Sequence, residues 1–330
     1  MIEIIAEIAQ GFEGSPKLAD LLVKGAIAAD ADSIKFQLIY ADELATPDYT
    51  HYKLFKSLEM DEEIWRKIAD EIQSHQKRLY FDIYGDRSWA AAKRLRADGV
   101  KISSTEFYNE PLLAKALETF ERIYISIGGI PVEDIDSLAA KIVSSAEKVC
   151  LMYGFQSEPT PLSQSYLRKI AALQKRYPQF KIGFMDHSAG DEEDALFLPI
   201  LALGFDIACI EKHITLDRLL KIEDYVSGLE PEKFKEFVRL MRKFEQALGR
   251  STLELTEAEI AYRQKAGKVV VASRHLRSGE ILRREDLALK RVGSKSSGTE
   301  IKRIHQALGK KTRKDVPANA AIREEDLCEN

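Results

Sequence analysis

Cysteine is scarce and long apolar runs are absent. Only three cysteines occur in 330 residues, and no stretch approaches the roughly 20 apolar residues of a membrane helix. Cys150, Cys209 and Cys328 form no metal-type spacing, which argues against a zinc ribbon or a disulfide framework. Cys150 and Cys209 lie in apolar, strand-like runs and read as reduced core thiols. Charge of one sign is also lacking. Forty-nine basic and 53 acidic residues are intermixed and leave a net charge of −4, so no nucleic-acid or membrane surface is expected. The opening residues Met1–Glu7 have no basic start of a signal peptide and resemble a strand, so a cytoplasmic protein is expected.

What remains is an ordinary globular composition, 45% apolar and 31% charged, long enough to bury a large core. Apolar strand-like runs recur at Ile2–Ala9, Ser33–Leu38, Leu79–Ile83, Gly99–Ser103, Arg122–Ile127, Lys148–Met152, Phe180–Phe184 and Asp206–Ile210. Helical spacing follows each, as in Leu18, Leu21, Leu22 and Ala26 behind the cap Ser15-Pro16. Eight such units in about 250 residues predict an α/β fold, a (β/α)8 TIM barrel over 1–250. An open doubly wound sheet would need an unusually long run without a domain break. A linker is expected over 251–267 and a small β-rich domain over 268–330. Within that tail Ile281–Leu287 resembles Ala321–Leu327, which points to a doubled, pseudo-symmetric module.

In such barrels the chemistry gathers at the C-terminal strand ends. Those ends carry Glu7; Lys35 and Gln37; Asp82; Lys101, Ser104 and Glu106; Ser126; Gln156 and Glu158; Asp186 and His187; Glu211, Lys212 and His213. Lys35 and Lys101 are each flanked by apolar residues, so they face either the helices or the barrel axis. The first placement strands an ammonium in apolar surroundings. The second puts two cations where a phosphate or carboxylate ligand, or alternatively ion pairs with Glu7 and Glu106, would satisfy them. His187 and His213, each ending a strand, make either a metal pair with open positions or a structural and general-base pair.

The motifs Ile5-Ala6-Glu7-Ile8, Ile34-Lys35-Phe36-Gln37, Val100–Glu106, Ser126 with Gly128, Pro159-Thr160-Pro161, Asp186-His187 and Glu211-Lys212-His213 followed by Asp217-Arg218 resemble, in order, those of the sialic acid synthase family. The tail is similar to that family's antifreeze-like (SAF) domain through Ser278-Gly279-Glu280, Glu285-Asp286-Leu287, Lys290-Arg291 and Leu308–Lys311. The resemblance covers nearly the whole chain. It implies an enzyme that condenses phosphoenolpyruvate with an aldose or amino sugar and releases phosphate. A divalent metal, manganese or magnesium, would sit on His187 and His213. Lys35, Gln37, Lys101, Ser104 and Ser126 would hold phosphoenolpyruvate, with Glu7, Glu106 and Lys101 at the reacting centre. Gln156, Glu158, Asp224 and Arg291 would face the sugar. The arginine matching Arg291 reaches in from the partner subunit in that family, which implies a domain-swapped homodimer.

The departures cluster. Gly11-Phe12-Glu13-Gly14 stands for the family's Asn-His-Asn-Gly, and Asp82-Ile83-Tyr84-Gly85 for Ser-Thr-Pro-Phe. Glu158 replaces a sugar-contacting tyrosine, Met185 the serine before Asp-His, Ile127 a threonine, and Ile222-Glu223-Asp224 a Gly-Pro-Asp. The Tyr40–Tyr52 loop is shorter than usual. Most of the phosphoenolpyruvate side survives and much of the sugar side does not, so the acceptor is expected to differ from N-acetylmannosamine. Two rival readings are a catalytically weak sugar- or anion-binding scaffold and a metal-dependent aldolase that uses pyruvate.

Overall fold

Eight short strands alternate with helices over Met1–Gly249 of the computed structural model, which describes residues 1–155, 157–293 and 299–329. They are β1 (Glu3–Ala9), β2 (Ser33–Gln37), β3 (Arg78–Ile83), β4 (Gly99–Ile102), β5 (Ile123–Ser126), β6 (Val149–Tyr153), β7 (Lys181–Asp186) and β8 (Cys209–His213). All pair in parallel in chain order, and β1 pairs with both β2 and β8, which closes a (β/α)8 barrel. The helix Pro16–Ala28 begins as its sequence dictates: Ser15 Oγ accepts from Leu18 N at 3.4 Å and Pro16 takes the first turn. Asn109 caps Glu110–Thr119 in the same way, through Leu112 N at 3.3 Å.

Because side chains alternate along a strand, each strand sorts its residues into two cores. Ile4, Ile8, Ile34, Phe36, Phe81, Val100 and Ile102 face the helices and join one large apolar cluster. There Phe12, Phe36, Trp65 and Phe81 meet edge to face, with ring centroids 5.2–5.8 Å apart. Ile5, Tyr80, Tyr124, Cys150, Met152, Met185 and Cys209 point inward and plug the barrel. Gly183 on β7 makes room for that plug, since a Cβ there would collide with Met152 Sδ and Cys209 Sγ. This packed floor leaves the C-terminal mouth as a shallow, polar chamber.

One strand differs from the sequence expectation. Asp206–Ile210 reads as strand, yet β8 begins at Cys209, and Asp206 sits in a left-handed turn (φ 54°). The shift carries Glu211-Lys212-His213 into the ladder itself, with Ile5 opposite Glu211 and Glu7 opposite His213. The apolar character of Ile207 and Ala208 hid the turn.

The second unit starts at Arg250. Its first helix, Glu257–Ala266, lies within the stretch expected as a linker and opens on a capping box between Thr256 and Glu259. The tail then pairs β9 (Val269–Ala272) with β10 (Leu287–Lys290) and β11 (Lys311–Thr312) with β12 (Leu327–Cys328), both antiparallel. The two sequence copies fold alike: a one-turn helix at Arg284–Asp286 and at Glu324–Asp326 leads into β10 and β12. Asp286 and Asp326 each accept from the backbone N–H three residues earlier, at 2.9 and 3.0 Å. Leu282, Leu287, Ile322 and Leu327 fill a shared core. Among the described residues no helix is long and apolar enough to cross a membrane.

Candidate active site

The ladder register brings the polar ends of β1, β2, β3, β4 and β8 together on the inner face. Glu7 lies beside Lys35 and His213, and Asp82 beside Gln37 and Lys101. Lys35 and Lys101 therefore face the axis, as one of the two sequence readings expects. Of the two expected partners, Glu7 is present and Glu106 is not. Lys35 Nζ lies 2.6 Å from Asp82 Oδ1 and 3.5 Å from Glu211 Oε2, and also touches Glu7 Oε2. Lys101 Nζ lies 2.6 Å from Glu211 Oε1. Two lysines and three carboxylates thus form one buried network. It borders a cavity of about 260 Å³ that Gln37, Ser104, Glu158, His187, His213 and Asp224 also line. A larger hollow of about 550 Å³ opens at the other end of the barrel, on Glu3, Arg78 and Lys148, and holds none of these groups.

Burial sets the proton balance of the network. It pushes the Glu7 carboxyl well above the carboxylate range, and Lys35 only partly offsets this. Burial works against the Lys35 ammonium as well, but Asp82 and Glu211 outweigh it and hold the lysine charged. Burial would also raise Glu211, yet Lys101 and Lys35 pull it down to about 2. The network therefore combines a protonated Glu7 with an ionised Glu211, an acid and an anion on the same chamber wall.

Next to this network, at the ends of β7 and β8, His187 and His213 stand with ring centroids 5.2 Å apart. Burial lowers His187 to about 4, and burial, then His187 and Lys35, hold His213 well below the ordinary imidazole range, so both rings are neutral. The Nδ1 atom of each ring is buried with no hydrogen-bond partner among the described residues. Glu158 Oε1 approaches His213 Nε2 at 3.7 Å, and one ligand atom from each of Glu158, His187 and His213 lies within 4.8 Å of the others. Two neutral imidazoles with spare nitrogens and a nearby carboxylate suit a divalent metal. Burial, then Asp224, raises Glu158 to about 7. Asp224 itself is seated by a loop. Its carboxylate accepts from Gln10 N at 3.2 Å, and Arg218 braces the loop through the carbonyls of Tyr225 (2.7 Å) and Val226 (3.0 Å).

The other expected residues fall as follows. Gln37 lines the cavity and accepts from Gln10 Nε2 at 2.8 Å. Ser104 lines it too, while Ser126 is fully buried at the end of β5 and is not part of the lining. Glu106, expected at the reacting centre, instead accepts from Asn109 Nδ2 at 2.9 Å and does not line the cavity, because the one-turn helix Ser104–Glu106 rotates it away. Arg291 donates to Ala266 O at 3.0 Å within the second unit. Gln156 lies outside the described residues.

Glu211 and Asp82 were not singled out from the sequence as site residues, although both sit at strand ends. Alternation with His213 would have placed Glu211 inside. The same rule turns Lys212 and Asp186 outward. Lys212 Nζ lies 2.8 Å from Asp186 Oδ2 behind the barrel wall and 3.2 Å from Ser188 Oγ, so neither residue borders the chamber.

A parallel barrel with a metal-ready histidine pair and buried lysines at its C-terminal mouth defines a class of barrel enzyme. The chain belongs to the NeuB family, whose model matches residues 22–252, and carries a SAF domain over 267–327. It is 28% identical to the human N-acetylneuraminate-9-phosphate synthase, over 98% of this chain and 91% of that protein. It is 27% identical to the N,N'-diacetyllegionaminic acid synthase of Legionella pneumophila, over 91% and 88%. Among solved structures it resembles the N-acetylneuraminic acid synthetase of Leptospira borgpetersenii in complex with citrate, at 26% identity and a TM-score of 0.73 over 79% of this chain and 91% of that one.

Proposed function

We propose that the protein is a phosphoenolpyruvate-dependent synthase that joins the three-carbon donor to an aldose or amino sugar other than N-acetylmannosamine and releases phosphate. The observation that carries this reading is the buried network of Lys35 and Lys101 lining one chamber together with the histidine pair. The lysines, with Gln37, Ser104 and Ser126, serve the donor's phosphate and carboxylate. Asp224 and Glu158 serve the acceptor, a role the resemblance also assigns to Gln156. A manganese or magnesium ion held by the histidines would polarise the acceptor's carbonyl. The methylene carbon of the donor adds to that carbonyl, and water captures the cation left at C2. Protonated Glu7, with Glu106 as the other acid of the resemblance, supplies or takes the proton that moves at this centre. Lys35 and Lys101 neutralise the departing phosphate. We extend the reading to a cytoplasmic, domain-swapped homodimer in which Arg291 serves the neighbouring subunit's acceptor end.

One observation favours a second reading. Lys35 is already paired with Asp82, where the resemblance puts a serine, so less positive charge is left for a dianionic phosphate. Pyruvate would suit that end better. Phosphate release with phosphoenolpyruvate, Mn²⁺ and a panel of aldoses decides between the two. Release that depends on an aldose other than N-acetylmannosamine is expected. No release with any aldose sinks the synthase reading, and normal release with N-acetylmannosamine sinks the altered acceptor.

A further inference from the structure

We infer that Glu158 is a third protein ligand of the metal, completing a set of two histidines and one carboxylate that two histidines alone would not provide. The inference rests on the metal-dependent reading above and concerns a position where the related family carries a tyrosine.

Three observations carry it. The first is geometric: ligand atoms of Glu158, His187 and His213 already lie within 4.8 Å of one another, with Glu158 Oε1 3.7 Å from His213 Nε2. A divalent ion that holds three atoms at about 2.1 Å draws them to about 3–3.5 Å apart. Glu158 Oε1 is already close to that spacing from His213 Nε2, on a side chain 32% exposed.

The second is positional. The loop that carries Glu158 is pinned to the strand end that carries His187, through Thr160 N donating to His187 O at 2.8 Å. Ser227 Oγ bonds the same carbonyl at 3.2 Å. Gly154 lets the loop leave β6 close to β7, since a Cβ there would collide with Met185 O. The carboxylate is thus held beside the imidazoles by backbone contacts independent of any ligand.

The third is charge. Lys35 and Lys101 are already engaged with Glu7, Asp82 and Glu211. Among the described residues Glu158 has no lysine or arginine partner, and its anionic neighbours are Asp224 and Glu223. A metal on the histidines supplies the missing cation. A facial set of this kind suits manganese or iron in the divalent state and leaves adjacent positions open. An acceptor that chelates through its carbonyl and a neighbouring oxygen fits those positions.

The test is Mn²⁺ binding to the metal-free full-length protein, read by calorimetry and by water-proton relaxation, which counts waters on the ion. Wild type, Glu158→Gln, Glu158→Tyr and His213→Ala are compared after circular dichroism shows each to be folded. Both Glu158 variants are expected to bind Mn²⁺ at least about tenfold more weakly. Glu158→Gln is also expected to raise relaxivity by one inner-sphere water. Unchanged affinity and hydration in Glu158→Gln overturns the inference and leaves a two-histidine site. Weaker binding with unchanged hydration also overturns it, since the carboxylate then acts only through its field. Failure of wild type to bind Mn²⁺, or binding indifferent to His213→Ala, overturns the metal reading itself.

Discussion

Two buried ion-pair groups sit at the same height in the barrel wall, on opposite faces, and they behave differently. Behind the wall, Lys212 lies 2.8 Å from Asp186, and Asp186 is further held by Ser188 N at 2.9 Å and Ser188 Oγ at 3.0 Å. Before it, Lys35 and Lys101 share Glu7, Asp82 and Glu211, while Glu7 Oε1 and both histidine Nδ1 atoms have no hydrogen-bond partners among the described residues. The outer pair is closed on itself and braces β7 against β8. The inner network is left incomplete where it borders a cavity, as expected of groups that await a substrate. A single step along β8, from Glu211 to Lys212, moves a charged residue from one role to the other.

Substitutions should separate the two. Lys35→Met is expected to lower kcat/KM about a hundredfold or more, because a cation aimed at the departing phosphate is lost. Its melting temperature should fall less than that of Lys212→Met, since Glu7, Asp82 and Glu211 border the cavity, where water can reach them. Lys212→Met should do the reverse. It leaves Asp186 unpaired in the wall and costs about 3–5 kcal/mol of stability, read by urea titration, with KM for phosphoenolpyruvate intact in the folded fraction. If Lys212→Met proved harmless to stability while abolishing donor binding, the division between the faces would collapse.

Asp82→Ser sharpens the comparison from within the inner network. Freeing Lys35 from its partner at 2.6 Å should tighten phosphoenolpyruvate by about tenfold, seen as a lower KM. A higher KM would mean that Asp82 orients Lys35 rather than competing for it.

The smallest effect concerns pH. Burial raises Glu7, so the folded protein holds a proton there that the unfolded chain gives up once pH exceeds the ordinary carboxylate range. The unfolded state then binds fewer protons, and this contribution to stability is full at low pH and is lost as pH rises toward the folded pKa. Glu7→Gln should therefore melt a few degrees higher than wild type at pH 8 and no higher at pH 4. Equal melting at both values would contradict a protonated Glu7.

Much of this was legible in the chain. Eight apolar runs with helices between them foretold the barrel, and period two along Ile34-Lys35-Phe36 and Val100-Lys101-Ile102 placed both lysines inside. The same period was not applied to Glu211-Lys212-His213, so Glu211 went unassigned. The expense of a helix-facing ammonium was also overstated, since Asp186 and Ser188 satisfy Lys212 there. Partners of buried charges were beyond reach, because barrel closure brings Glu211 of β8 to Lys35 of β2 and no local pattern records it. Glu106 is off the cavity lining for a local reason: the turn after β4 brings its carboxylate to Asn109.

The central claim is that the inner network and the histidine pair make a carbon–carbon bond, and labelled carbon tests it most directly. Phosphoenolpyruvate carrying ¹³C at its methylene carbon is incubated with Mn²⁺, the aldose panel and the protein, and products are read by mass spectrometry. The account predicts a labelled acid sugar three carbons longer than one of the aldoses, formed one for one with phosphate and absent with Lys35→Met. Label recovered only in phosphoenolpyruvate or pyruvate would contradict it.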